Sequence, residues 1–234
     1  IIRIMSHVIK TELKIDIELM SYDVVPLDRT KGLIEIVPDS ETINDICKKG
    51  FTIQNYIMEH GGKLTVDEIK DRFIRSTAAY CIITYLLGIE DRHLDNIMIH
   101  KSGQLFHIDF GYILGYDPKI SNTYIRITSG MLDAIGGPKS KKYKEFCELC
   151  TKMYNAIRKN ICFFSCMLLQ LNKINSKVYT IEKIESEIIK RFEPGISRFD
   201  GICHLTNLME KSRSNDWKIG LLDTLHSTVK SIRR

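Results

Sequence analysis

The sequence predicts an α+β fold, a small sheet fragment at the front and a mainly helical body behind. Three observations predict it. Short Ile-, Val- and Leu-rich runs flank Pro26, Asp28 and Gly32 near the start of the chain. A long helical pattern opens at Thr65 and turns apolar on nearly every face beyond Ala78. From Lys139 onward the helical pattern continues, with breaks near Asn175 and Pro194.

Residues 1–13 place Ile1, Met5, Val8 and Ile9 on one side of a helix. Residues 16–25 and 33–37 read as strands around a turn. Pro38 and Asp39 break the chain, and Ser40 to Tyr56 reads as two short helical pieces around Gly50. Thr65-x-x-Glu68 is a capping box, and Asp67 and Glu68 set negative charge at the positive end of the helix that follows. That helix runs to Leu87 and stops at Gly88, and its second half is expected to be the buried spine of the domain. Ile97–Ile99 and Leu105–Ile108 flank Lys101-Ser102-Gly103, a hairpin signature. Beyond Gly111 the chain reads as irregular to about Thr128.

Composition narrows the class. The 234 residues suffice for one large domain or two small ones. A net charge of +5 suits a protein that meets phosphates or an anionic membrane, and a solvated surface equally well. The seven cysteines, an odd number in a chain too large to need staples, point to reduced thiols and a cytosolic setting. Cys147-x-x-Cys150 and Cys162-x-x-x-Cys166 fall in apolar, helix-periodic stretches, so they read as buried thiols rather than zinc ligands. No signal peptide is visible, and the run Ile161–Leu171 falls far short of the ~20 apolar residues a membrane span needs. The chain opens at Ile1 inside a helical pattern and reads as a piece cut from something longer.

The chemistry is concentrated between Gly88 and Gly115. In a hairpin turning at residues 101–103, facing positions sum to about 204, which sets Asn96 across from Ile108 and beside Asp109. An amide oxygen and a carboxylate held together suit Mg²⁺, which takes a few protein oxygens and leaves room for water and phosphates. Asp91 stands five residues before Asn96, and Asp109 thirteen after it. Phosphoryl-transfer sites of kinase type need such a set, with one group on the attacking hydroxyl and two metal ligands. The triplet Asp91-Arg92-His93 adds an imidazole, whose ordinary pKa near 6.5 suits general-base work, so Asp91 and His93 both stand as candidate bases.

Asp91-Arg-His-x-x-Asn96 followed by Phe106-His-Ile-Asp-Phe-Gly111 resembles the catalytic and metal-binding loops of the phosphoinositide 3-kinases, the phosphatidylinositol 4-kinases and the related large protein kinases. The resemblance covers nearly the whole chain. It implies a protein-kinase-like fold, with residues 1–37 as the remainder of an N-lobe sheet and helix and residues 38–234 as a mainly helical C-lobe. ATP and Mg²⁺ are the implied cofactors, with Asn96 and Asp109 on the metal, Asp91 or His93 assisting deprotonation, and Arg92 bracing the loop. Gly32-Leu-Ile-Glu-Ile-Val37 resembles the hinge of the class I 3-kinases, so the resemblance puts adenine beside Ile34, on Glu35 C=O and Val37 N–H. Tyr22 matches a pocket tyrosine, and Met98 and Ile108 match the pocket floor.

Phe110 to Lys119 is most similar to the class III, phosphatidylinositol-specific 3-kinases. Class I enzymes carry a basic cluster in the loop that follows, whereas Gly111 to Thr128 here holds only Lys119 and Arg126. Unphosphorylated phosphatidylinositol is therefore the expected substrate, attacked through its 3-hydroxyl. Phe73–Tyr80 and Pro38-Asp39 also resemble the 4-kinases, which keeps the 4-hydroxyl as an alternative. A protein kinase of the related large family and a non-catalytic remnant are the further alternatives. The family's phosphate loop and its lysine lie upstream of the first helix, and nothing here corresponds to them. The stretch 215–233 carries an apolar stripe (Trp217, Leu221, Leu225, Val229, Ile232) with Lys218, Lys230, Arg233 and Arg234. It would either lie on a membrane or pack on the body of the domain. The expected partners are phosphatidylinositol in membranes and regulatory protein subunits, with no nucleic acid, for a cytoplasmic protein peripheral on membranes.

Overall fold

The computed structural model describes residues 1–214 apart from 18, 29, 90–91, 117–124 and the side chains of 213–214. Asp91, Lys119 and the amphipathic stretch from 215 onward lie outside the described residues. The front half contains α1 (Ile2–Leu13), β1 (Val24–Pro26), β2 (Gly32–Ile34), β3 (Ser40–Thr42), α2 (Ile43–Lys48), α3 (Ile53–His60), α4 (Val66–Leu86), β4 (Ile97–His100) and β5 (Leu105–His107). The helices behind it are α5 (Ser129–Ile135), α6 (Lys141–Arg158), α7 (Ile161–Leu169), α8 (Leu171–Ile174), α9 (Ile181–Phe192) and α10 (Arg198–Ser214).

α4 is the spine, for the reasons its sequence states. The Thr65 hydroxyl accepts from Glu68 N at 3.3 Å, and the Glu68 carboxylate accepts from Thr65 N at 2.7 Å. From Ser76 to Leu86 every residue is buried. Burying one large apolar side chain contributes roughly 1.5–3 kcal/mol, so this stretch dominates the core. Around it pack α6, α5 and α9, and α6 in turn carries α1 and α10. α1 meets them through Met5 and Ile9, both fully buried.

The two sheets are separate. β1 and β2 pair antiparallel, Val24 opposite Ile34 and Pro26 opposite Gly32. The second sheet runs β3-β4-β5, with Ile97 opposite His107 and Ile99 opposite Leu105. These pairs sum to 204, the register the turn predicts.

Several expectations are corrected. Only 24–26 and 32–34 of the expected strands form a ladder. Residues 16 and 20 are instead fastened to α4: Arg75 donates to Asp16 O at 2.8 Å and Tyr80 to Met20 O at 2.9 Å, while Ile17 and Leu19 are buried. Ser40–Thr42, expected to begin a helix, pairs with β4, whose outer edge would otherwise have no backbone partner. α5 was not expected, and it is framed by Thr128, whose hydroxyl caps Met131 N, and by Gly136 at φ 112°. Cys81 and Cys150 are buried as expected, but Cys162 and Cys166 lie on the exposed side of α7 and Cys147 is half-buried. Among the described residues no helix is long and apolar enough to cross a membrane.

Candidate active site

The site is a junction between the end of α4 and the β4–β5 hairpin. The turn that leads into β4 is closed by Asn96 N donating to His93 O at 2.9 Å. One residue further the ladder begins, and Ile108 N donates to Asn96 O at 3.0 Å. Asn96, 5% exposed, thus lies across from Ile108 and diagonally from Asp109, as the hairpin register requires. From outside, α2 grips the same turn: Asn44 N donates to Leu94 O at 3.2 Å and Asn44 Nδ2 to Asp95 Oδ1 at 2.8 Å.

Arg92 joins the two chains. Its side chain is buried, Nη1 donates to Ile108 O at 2.8 Å, and Nη2 donates to Asp109 O. The guanidinium carbon lies 5.6 Å from the Phe110 ring centre. A guanidinium can serve two carbonyls and a ring face at once, which an ammonium cannot. The contacts engage Arg92 with main chain rather than leaving it turned toward solvent.

Asp109 has the opposite character. It is exposed, sits at φ 57°, and its Oδ1 accepts from Gly111 N at 3.2 Å. Aspartate enters the left-handed region more readily than most residues because its short side chain bonds locally, as the Gly111 amide shows here. Tyr22 stands against the same turn. Burial pushes its phenol upward, opposed by the nearby Arg92 charge and reinforced by the Asp109 carboxylate, and a hydrogen bond with the Asp109 main chain pulls it back.

The remaining expected residues fall in two groups. Met98 and Ile108 are half-buried on the hairpin, Met98 opposite Phe106 on one side and Thr42 on the other. Ile34, Glu35 and Val37 lie on and after β2, where Ile34 is 68% exposed and Val37 half-buried. Glu35 is doubly joined to Asp23: its amide donates to Asp23 O at 2.9 Å, and its carboxylate accepts from Asp23 N at 2.8 Å. Just past Val37, Asp39 fastens this segment to the hairpin tip, accepting from Lys101 N at 2.9 Å and pairing with Lys101 Nζ at 2.6 Å. His93 is half-buried in the turn.

Sequence reasoning missed two supporting residues. Asn44 carries no local signal for its role. His107 lies within the motif, and its sequence context states no role for it. It is 2% exposed and stacks on Tyr80, with ring centres 5.0 Å apart and planes within 6°. Burial, and secondarily Arg92, hold its imidazole well below the usual range. Beside the junction lies a cleft of about 410 Å³ lined by Ile1, Arg3, Tyr22, Tyr80, Phe110 and Leu168, among others.

The donor set fits a hard divalent cation. Asn96, just before β4, and Asp109, two residues past β5, bring oxygen-bearing side chains to the open end of the hairpin, and among the described residues no cluster of three His, Cys, Asp or Glu offers a rival cage. An exposed carboxylate beside a buried amide can take a metal that stays largely bound to water and phosphate.

Comparison with known proteins gives the family. The family model described as "Phosphatidylinositol 3- and 4-kinase" matches residues 1–176. The chain belongs to that family. It is 30% identical over 243 residues to phosphatidylinositol 3-kinase pik3 of Schizosaccharomyces pombe, with 100% of this chain and 30% of that protein covered. It is 32% identical over 239 residues to phosphatidylinositol 3-kinase VPS34 of Saccharomyces cerevisiae, covering 97% of this chain and 26% of the relative. To the root isoform of phosphatidylinositol 3-kinase from Glycine max it is 35% identical over 164 residues, 68% of this chain and 20% of that one. The chain thus spans under a third of the length of these relatives.

Proposed function

We propose that this chain is the core of a lipid kinase that transfers the γ-phosphoryl group of ATP to the 3-hydroxyl of phosphatidylinositol. The observation that carries the reading is the Arg92 bolt, which ties the 92–96 turn to the 108–110 main chain so that Asn96 and Asp109 flank one bridge of the hairpin. In the reaction the inositol oxygen bonds to the γ-phosphorus, the bond from that phosphorus to the β–γ bridging oxygen breaks, and ADP leaves. The hydroxyl proton passes to Asp91 or His93. Arg92 holds the two loops in register without touching the reacting atoms. Asn96 and Asp109 would hold Mg²⁺, which supplies charge neutralisation on the phosphates when bound. Adenine would lie between the 34–37 segment and Met98 and Ile108, with Tyr22 at its inner end.

Phosphatidylinositol is favoured over its phosphorylated forms because only Lys119 and Arg126 are basic between 111 and 128, and Arg126 is buried. The protein would work peripherally on membranes from the cytoplasm, with regulatory subunits as partners. Functionally we divide the chain at 37/38, the front part serving the nucleotide and the rest the metal and the acceptor.

The test uses the longest native form of the protein with γ-labelled Mg-ATP, phosphatidylinositol vesicles and a generic peptide. Label in the lipid at the 3-position is expected, and Asp109→Asn should lower it by about 100-fold or more. Label at the 4-position would move the reading to the 4-kinases, and label in the peptide alone to a protein kinase. Wild-type turnover in Asp109→Asn would overturn the metal assignment.

A further inference from the structure

The chain leaving Asp109–Gly111 is held from two sides before it reaches residue 117. On one side is the end of α4. Leu114 N donates to Leu87 O at 2.9 Å and Gly115 N to Gly88 O at 3.1 Å. Both residues take positive φ, 54° and 69°, and Leu114 is fully buried. On the other side is α9. A methyl group on Gly115 would lie 3.2 Å from Glu187 Oε2 and 3.4 Å from Oε1, so the carboxylate stands over this residue with no room for a side chain between them.

That carboxylate is itself fixed. Glu187 is 4% exposed, and its Oε2 accepts from Arg191 Nε at 2.8 Å while Oε1 accepts from Lys183 Nζ at 3.1 Å. Arg191 is 1% exposed and sends Nη1 to Tyr85 O at 2.9 Å, near the end of α4. Tyr154 of α6 donates to Arg191 O at 2.9 Å. Lys183 Nζ also lies 5.8 Å from the Tyr116 ring, which meets Tyr179 edge-on at 5.2 Å. Burial alone would raise the Glu187 carboxyl, but Arg191, Lys183 and Lys190 together hold it below its ordinary value. A buried ion pair gives little stability over apolar residues of the same shape. What this one supplies is a single defined place for residues 113–116.

We propose that Glu187 and Arg191 are positioning residues, which fix the backbone of 113–116 and so set where the acceptor-facing loop beyond it begins. The proposal rests on the reading of residues 111–128 as the loop that meets the lipid headgroup. Neither side chain contacts Asn96 or Asp109 through any of the bonds above. Their effect should therefore fall on transfer to lipid and leave nucleotide chemistry intact.

The experiment compares wild type, Glu187→Gln and Gly115→Ala in the full-length protein. It measures lipid phosphorylation, ATP hydrolysis without lipid, and the rate of native-state tryptic cleavage at Lys119. Each variant is expected to lower kcat for lipid by about tenfold or more. Lipid-free ATP hydrolysis should stay within about twofold of wild type. Cleavage at Lys119 should accelerate by about fivefold or more. Gly115→Ala leaves both charges of the ion pair in place but is strained at φ 69° whatever Glu187 does, so if Glu187→Gln fails to fold the comparison of Gly115→Ala with its Glu187→Asp double variant decides the matter. Adding Glu187→Asp to Gly115→Ala, which withdraws the carboxylate by one methylene and keeps its charge, should recover part of the lipid turnover. Equal loss of lipid transfer and ATP hydrolysis with unchanged cleavage would overturn the proposal. If wild type hydrolyses ATP and labels no lipid, the lipid reading fails, and the cleavage ratio alone upholds or sinks the positioning role.

Discussion

Arg92 shows how one buried side chain can join two loops. It donates to the carbonyls of Ile108 and Asp109, and its guanidinium carbon lies 5.6 Å from the Phe110 ring centre. The placing of Asn96 across from Ile108 and beside Asp109 was legible in the sequence, because hairpin register fixes which residues face each other. The grip of Asn44 on Asp95 was not legible, since the two are 51 residues apart and nothing local links them. Nor was the burial of His107, which follows from its stack on Tyr80 rather than from any pattern in the strand. That burial makes a prediction. The folded imidazole has a depressed pKa, so at neutral pH His107 is uncharged in both states and contributes nothing. Below an unfolded pKa of about 6.5 the unfolded chain takes up a proton that the folded chain refuses, and stability falls by about 1.4 kcal/mol per pH unit. Urea unfolding at several pH values between neutrality and mild acid measures the slope. His107→Gln should flatten it in part, because His100 and His204 are shifted in the same direction. An identical slope in the variant would assign the effect to those other groups.

Among the elements, α4 and the hairpin were readable because each is specified locally. The capping box at Thr65 and the turn at 101–103 state their own boundaries, and the structure keeps both. β3 was not readable, because Ser-Glu-Thr has no strand character of its own and pairs only where β4 offers an edge. α5 is short and carries a glycine, so its periodicity is too brief to register. The end of α4 has a sharper requirement. Gly88 sits at φ 60°, and a methyl there would lie 2.8 Å from Leu114 Cα and 2.9 Å from Gly115 N. Both neighbours are main chain and cannot rotate away. Gly88→Ala should therefore cost more than about 2 kcal/mol, from strain and overpacking together. Denaturant unfolding measures it, and a loss below about 0.5 kcal/mol would show that the loop relaxes freely away from α4.

Across the whole molecule, α1 buries its apolar side against the helical body and meets the approach to the two-stranded sheet only through the exposed Arg3, which bonds to Ser21 and Asp23 among the described residues. Met5 and Ile9 are fully buried, and α1 packs on α6 and α4. The functional division at 37/38 is thus not expected to be a division in folding. Ile9→Ala should cost about 2–5 kcal/mol and shift one shared thermal transition, followed by far-ultraviolet dichroism and by tyrosine signals together. A separate, earlier transition would show that α1 melts apart from the body. Composition and charge revealed none of this arrangement, since they are the same for any order of packing. The contact between Gly88 and Leu114–Gly115 reaches further still. Two points 27 residues apart in the chain share one space, and both lie in backbone conformations that side chains resist. Descendants of this sequence are consequently not free to drift at the two sites independently. A side chain acquired at either one closes the path to the other, so the pair should be inherited as a unit, and a lineage that has lost one glycine should have rebuilt the whole crossing.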